Sequence, residues 1–301
     1  MPTILRTVGA TIALLLACSV GVRAGDAGGP SITVDAVYEL RTAAAGGDPA
    51  AMLRMAKLYE QGVRGMDGTL LVPRNYGEAF KLYTAAATGD IIPEALFAVG
   101  VCYEMGLGVT PDPAKAAEHY QKAVKLLYPP AMIKVAELLL DGRIFPKAVD
   151  RGLEFLETAF KVGNADAAYQ LALVHLQGRF EQPVDQARGV QWLSEAVKMG
   201  QLDALRAMAE LRNVGVAGVL EKDTGEGMKW YLILAKTGNL PQEAAQKAQA
   251  LRNSMTQAEV QAADDNAVKW MRELDAAQTR SRDSAARATE QRLSAFRAAS
   301  R

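Results

Sequence analysis

Between residues 50 and 240 apolar and polar positions recur in blocks with helical spacing. In the first kind of block, apolar side chains fall three apart, as at Met52, Met55 and Leu58, with polar ones between them at Arg54 and Lys57. That spacing describes one face of an α-helix. Each such block closes on a glycine, where a residue free to adopt positive φ ends a helix readily. A second kind of block follows, reading small residue, then aromatic or Leu, then Ala. It appears as Ala79-Phe80…Tyr83…Ala86 and Ala116…Tyr120…Ala123. Later copies read Gly152…Phe155-Leu156…Ala159, Gly189…Trp192-Leu193…Ala196 and Gly227…Trp230-Tyr231, with Ala235 one place late. Small residues let two helix backbones approach, and one large ring fills the space beside them. A closing glycine follows most of these blocks, at Gly89, Gly163, Gly200 and Gly238.

The two blocks together form a repeat. An Ala followed by a Gly eleven residues later recurs in register with the blocks at Ala51/Gly62, Ala95/Gly106, Ala131/Gly142, Ala167/Gly178 and Ala204/Gly215. The Ala positions are 44, 36, 36 and 37 residues apart, and a second small residue sits five after each of them. With each of these Ala residues as position 1, that second small residue stands at position 6: Ala56, Gly100, Ala136, Ala172 and Ala209. Periods of this length mark a stack of supersecondary units. The expected fold is all-α, an α/α superhelical solenoid of about five helix pairs with helical caps.

The flanks complete that organisation. Residues 25–49 read as a linker and capping helix (ITVDAVYELRTAAA), residues 50–240 as the repeats and residues 241–274 as C-terminal capping helices. Thr256 with Glu259 three later forms a capping box for the last of these. Residues 275–301 read as a charged helical or disordered tail; AAQTRSRDSAARATEQRLSAFRAASR carries six Arg. The first repeat is longer than the others, and the excess lies in GVRGMDGTLLVPRNY. The sequence leaves open whether Leu70, Leu71 and Val72 meet a partner or tuck against the repeat edge.

The repeat resembles the Sel1-like repeat, a relative of the tetratricopeptide repeat. The second unit carries the resemblance most fully: Ala95…Val99-Gly100…Tyr103…Gly106-Leu107-Gly108-Val109…Asp112…Lys115-Ala116…Tyr120…Lys122-Ala123. Units three to five lose the Gly-x-Gly-Val loop, which becomes GRIFPKAVD, GRFEQPVD and GVAGVLEKD. The resemblance implies an α/α solenoid that binds proteins. Some secreted relatives are linked to β-lactams, but they carry regular cysteine pairs in each repeat, which this chain lacks.

Composition narrows the picture. Lys+Arg and Asp+Glu balance at 34 each, which argues against a strongly basic nucleic-acid binder. Residues 1–24 have one early charge, Arg6, then an uncharged apolar run too short for a comfortable membrane span, in the manner of an export signal. Cleavage after Ala24 would leave a soluble periplasmic or secreted product. Leu15-Leu16-Ala17-Cys18 resembles a lipobox, and lipidation at Cys18 would make an envelope lipoprotein instead. With only Cys18 and Cys102, a disulfide framework is ruled out.

No phosphate loop, His-Glu-x-x-His, Cys-x-x-Cys or nucleophile elbow is present. His119 is expected to face solvent, His175 to replace the tyrosines of Tyr59 and Tyr103 in packing, and Cys102 at position 8 to act as a small buried hydrophobe. No catalytic residue, metal ligand or cofactor is expected. The candidate partner-binding residues are the polar ones at positions 4 and 7 of the first helices: Arg54, Lys57, Lys134, Glu137, Gln170 and Glu210. They would line a groove together with Ala98, Val101 and Leu173. The expectation is a non-enzymatic interaction scaffold for protein partners in the cell envelope. An accessory regulator of envelope enzymes that binds peptide or glycan is the alternative, and a hydrolase the third reading.

Overall fold

The computed structural model describes residues 33–65, 67–237 and 241–299. The expected export signal at residues 1–24, Cys18 and Gly238 lie outside the described residues. Thirteen helices and one hairpin build the described chain, an all-α solenoid of helix pairs. It divides into two compact units, one ending at Leu82 and one beginning at Tyr83.

In the first unit α1 (Val34–Ala45) packs on α2 (Pro49–Gln61) around Ala44, Ala51 and Met55. Asp48 caps α2 by accepting from the Ala50 amide at 3.2 Å. The excess of this repeat is a hairpin rather than a loop: β1 (Val63–Arg64) pairs antiparallel with β2 (Leu70–Val72). Asp67 holds its turn, accepting from the Thr69 amide at 3.0 Å and the Thr69 hydroxyl at 2.6 Å. Val72 is fully buried while Leu70 is 55% exposed, so one end of this apolar trio packs and the other stays open. Helix α3 (Tyr76–Ala86) follows.

The second unit continues the alternation. First helices are α4 (Pro93–Met105), α6 (Pro129–Asp141), α8 (Ala165–Gln177) and α10 (Leu202–Val214). Second helices are α5 (Pro113–Lys125), α7 (Val149–Lys161), α9 (Gln186–Lys198) and α11 (Thr224–Thr237). Each first helix packs on its own second helix, and each of α5, α7 and α9 packs on the first helix that follows it.

The small residues mark where paired helices come closest. A Cβ added to Gly100 would sit 2.6 Å from the Tyr120 ring and 3.3 Å from the Ala116 carbonyl oxygen. In the next pair the glycine is on the other helix: a Cβ on Gly152 would lie 3.2 Å from the Ala136 carbonyl oxygen and 2.8 Å from Leu140. Gly227 repeats this against Ala209. Each of these contacts combines one Gly and one Ala, because two Cβ atoms would hold the backbones apart.

A second device recurs in all five repeats. The carbonyl at position 9 of the first helix (Tyr59, Tyr103, Leu139, His175, Arg212) accepts from the amide of the residue that starts the second helix (Asn75, Asp112, Ala148, Asp185, Asp223). Four of those starting residues also cap their helix through the side chain, accepting from the amide three residues on. Ala148 has no such group. The bond fixes the turn between paired helices, and the cap satisfies a helix N-terminus that would otherwise keep orphan amides.

Helix α12 (Pro241–Arg252) packs on α11, and α13 (Gln257–Ala299) packs there as well. The capping box forms: the Thr256 amide donates to Glu259 at 2.7 Å and the Glu259 amide to the Thr256 hydroxyl at 3.3 Å. Trp270 meets Trp230 edge to face at 5.4 Å. Leu274 and Gln278 reach Gly200, in the turn between α9 and α10. α13 runs as one helix through residue 274 to Ala299.

Candidate functional site

Within the second unit the first helices leave one strip uncovered. Positions 1, 2, 5, 6 and 8 are buried in α4, α6 and α8, and positions 3, 4 and 11 are partly or fully exposed. The strip carries Phe97, Ala98 and Val101 from α4, Ile133, Lys134 and Glu137 from α6, Tyr169 and Gln170 from α8, and Arg206, Ala207 and Glu210 from α10. Positions 3 and 7 share a face because they are four apart on a helix. Sequence reading chose positions 4 and 7 and missed position 3, although the same periodicity contains it.

The structure places the six candidates unequally. Arg54 is exposed and Lys57 half-exposed on α2, in the first unit. Lys134, Glu137, Gln170 and Glu210 lie on three successive first helices of the second unit. Lys134 and Glu137 belong to a partly buried polar cluster. The Tyr120 hydroxyl donates to Glu104 at 2.5 Å, and the other oxygen of Glu104 pairs with Lys134 at 3.0 Å, both side chains being less than a fifth exposed. The cluster thus joins α4, α5 and α6. Burial, then Lys134 opposing it, sets the balance at Glu137, whose carboxyl is raised above its ordinary value. Burial and the Glu104 hydrogen bond push the Tyr120 phenol up strongly, so it stays a donor. Glu104, at position 10, was not expected here; only its contact with a residue of the next repeat reveals it.

Further along, Tyr169 is pushed up to about 12 by burial and by Asp203 nearby. Glu210 meets Lys247 of α12 at 3.3 Å, and Lys247 also pairs with Glu243 at 3.1 Å. Leu173, expected in the groove at position 7, is instead 5% exposed and part of the core. The surface is therefore apolar and aromatic, crossed by carboxylates, with its cations already held in ion pairs.

The residues that might have carried chemistry are packed. His119, expected to face solvent, is only partly exposed: it stacks on Tyr103 at 5.8 Å, and its Nδ1 is buried without a partner. Burial, then Lys122, lowers its pKa, which keeps the ring neutral. His175 is 8% exposed and Cys102 4%, each filling its repeat position. Among the described residues no group of three or more His, Cys, Asp or Glu is placed to hold a metal ion, and no helix is long and apolar enough to cross a membrane.

The family model described as Sel1 repeat matches five consecutive segments, residues 49–90, 93–126, 129–164, 165–201 and 202–239. Chitin synthase regulatory factor 3 of Schizosaccharomyces pombe is 27% identical over 215 residues, which cover 64% of this chain and 22% of that protein. An uncharacterized protein of Neisseria meningitidis serogroup B is 27% identical over 168 residues, 56% of this chain and 34% of that one. The chain thus spans between a fifth and about a third of the length of these curated relatives. The crystal structure of a Sel1 repeat protein from Oxalobacter formigenes aligns with a TM-score of 0.59 at 25% identity, covering 79% of this chain and 99% of the other.

Proposed function

The chain belongs to the Sel1 repeat family, and from that premise we propose that it is a non-enzymatic scaffold of the cell envelope that holds a segment of a partner protein. Sel1 repeats generally mediate protein–protein interactions. The observation that carries the reading is the first-helix strip of the second unit. It combines Phe97, Val101, Ile133 and Tyr169 with the prearranged Glu104–Lys134 pair, on rigid helices rather than loops. Such a surface offers apolar anchors and fixed polar groups to an extended or helical segment. Export rests on residues 1–24, and attachment to a membrane on lipidation at Cys18. No role for nucleic acid or a cofactor enters this reading.

A photo-crosslinking residue placed at Gln170 tests the surface against one at Lys161, which is exposed on the second helix α7. Crosslinks to a discrete partner in envelope extract should form from position 170 and be lost when Lys134 and Glu210 are charge-reversed. Equal crosslinking from position 161 would refute the assignment. Cell fractionation with Cys18→Ser separates the soluble from the lipidated product.

A second reading, an accessory regulator of an envelope enzyme that binds peptide or glycan, is favoured by the fission-yeast relative, whose name makes it a chitin synthase regulatory factor. It predicts that the crosslinked species is an enzyme whose activity changes on binding.

A further inference from the structure

The first-helix strip and the far end of α13 have opposite charge. Along the strip each cation is matched within the face: Lys134 with Glu104, Arg206 with Asp203, and Lys247 with Glu210 and Glu243. Asp141 is paired with Arg143 at 3.3 Å, and Glu137 and Asp166 add further carboxylates, so the face is acidic overall. The segment 279–299 has the reverse balance: Arg280, Arg282, Arg287, Arg292 and Arg297 stand against Asp283 and Glu290, with Leu293 and Phe296 as its large apolar residues.

Geometry decides which copy supplies that segment. α13 is anchored by Trp270, Leu274 and Gln278. From Gln257 to Ala299 it contains neither Gly nor Pro, the residues at which helices usually break or bend sharply. In the structure it runs unbroken to Ala299 and has α11, not a first helix, as its main packing partner, which leaves the strip open to a second copy.

We propose that residues 279–299 of one copy lie across the α4–α6–α8–α10 strip of a second copy. Arginines would then face the carboxylates of the strip, and Leu293 and Phe296 its apolar residues. This rests on the reading of the strip as a docking surface and names an occupant for it. Reciprocal exchange closes a two-fold dimer, the commonest symmetry of soluble assemblies. It also makes self-docking compete with any other partner of the strip, so that partner binding would release the tail.

The test is the solution mass of the full chain by light scattering across a concentration series at low and high salt. A preparation starting at Gly25 removes any contribution from the apolar N-terminal run. The expected result is a shift toward twice the chain mass with concentration, weakened at least several-fold by salt, as exposed charge pairs are screened. Arg287→Glu with Arg292→Glu and Arg297→Glu should abolish it, as should Asp141→Lys with Asp166→Lys and Glu210→Lys. Chains carrying both sets should associate again, a rescue that a folding defect would not produce. A monomer at every concentration, or association indifferent to both sets, overturns the proposal. If the chain is monomeric while position 170 still crosslinks a partner, the docking surface stands and only its occupant is wrong; if both fail, both readings fall.

Discussion

At the scale of single residues, two positions depart from the repeat pattern and mark where stability can be gained. Ala148 starts α7 where the four other repeats have an Asn or Asp cap, and its backbone (φ −149°, ψ 83°) is close to that of Asp112 (φ −145°, ψ 95°). Ala148→Asp should therefore accept from the Arg151 amide and raise stability by about 0.5–1 kcal/mol, read by urea melts. An unchanged midpoint would mean the turn cannot admit the carboxylate. Leu127 closes the second repeat at φ 57°, where the third and fourth repeats place Gly163 and Gly200. A left-handed conformation costs a non-glycine residue about 1–2 kcal/mol, and Leu127 is 57% exposed, with little packing to lose. Leu127→Gly is expected to recover about 1 kcal/mol of that, less the greater freedom of glycine in the unfolded chain. Gly100→Ala goes the other way, since its Cβ must displace the Tyr120 ring; a loss of about 1–3 kcal/mol is expected.

Glu137 belongs to the same scale, with a sign that runs against most carboxylates. Its carboxyl is raised in the folded chain, chiefly by burial, so the folded state binds the proton more tightly than the unfolded one. Stability should fall as pH rises from the ordinary Glu value through the raised one. Glu137→Gln should flatten that part of the profile and raise the melting temperature at pH 7. A profile identical to that of the native chain would show that Lys134 fully offsets the burial.

At the scale of elements, the helix pairs were legible because their signals are local. Position 12 shows it: Gly62, Gly106, Gly142, Gly178 and Gly215 all have positive φ, so a recurring glycine reported a helix end directly. The capping box at Thr256 was legible for the same reason. The hairpin at Val63–Val72 was not, since its two short strands are defined by pairing rather than by a run of β-formers. Nor was the length of α13: its apolar residues thin out after Leu274, and an unbroken backbone without Gly or Pro leaves no trace in hydrophobic periodicity. The polar cluster of Glu104, Tyr120 and Lys134 was half legible. Lys134 was found by its place in the repeat, while Glu104 acts only through residues 16 and 30 positions away. The anchoring of α13 can be tested by Trp270→Ala, which removes the ring packed on Trp230 and should cost about 3 kcal/mol. Truncation after Gln278, which spares the contacts of Trp270, Leu274 and Gln278, should leave the melting temperature unchanged at concentrations too low for self-association.

For the whole molecule, the predominance of contacts between neighbouring helices governs behaviour. A stack of repeats is stabilised by each unit and its neighbours, so its parts need not unfold together. The distribution of burial says where opening should begin. α1 buries only Val37 and Ala44 of its 12 residues, whereas α6 buries seven of 13 and α8 another seven. Amide exchange followed by mass spectrometry should therefore show a gradient, with α6 and α8 protected longest and α1 exchanging far earlier. Uniform protection from α1 to α11 would mean that one cooperative transition couples all the repeats. The gradient bears on function because the strip that is proposed to hold a partner runs over α6 and α8, where the longest protection is expected. A partner would then find Phe97, Ile133 and Tyr169 already fixed, and little ordering entropy would oppose its binding.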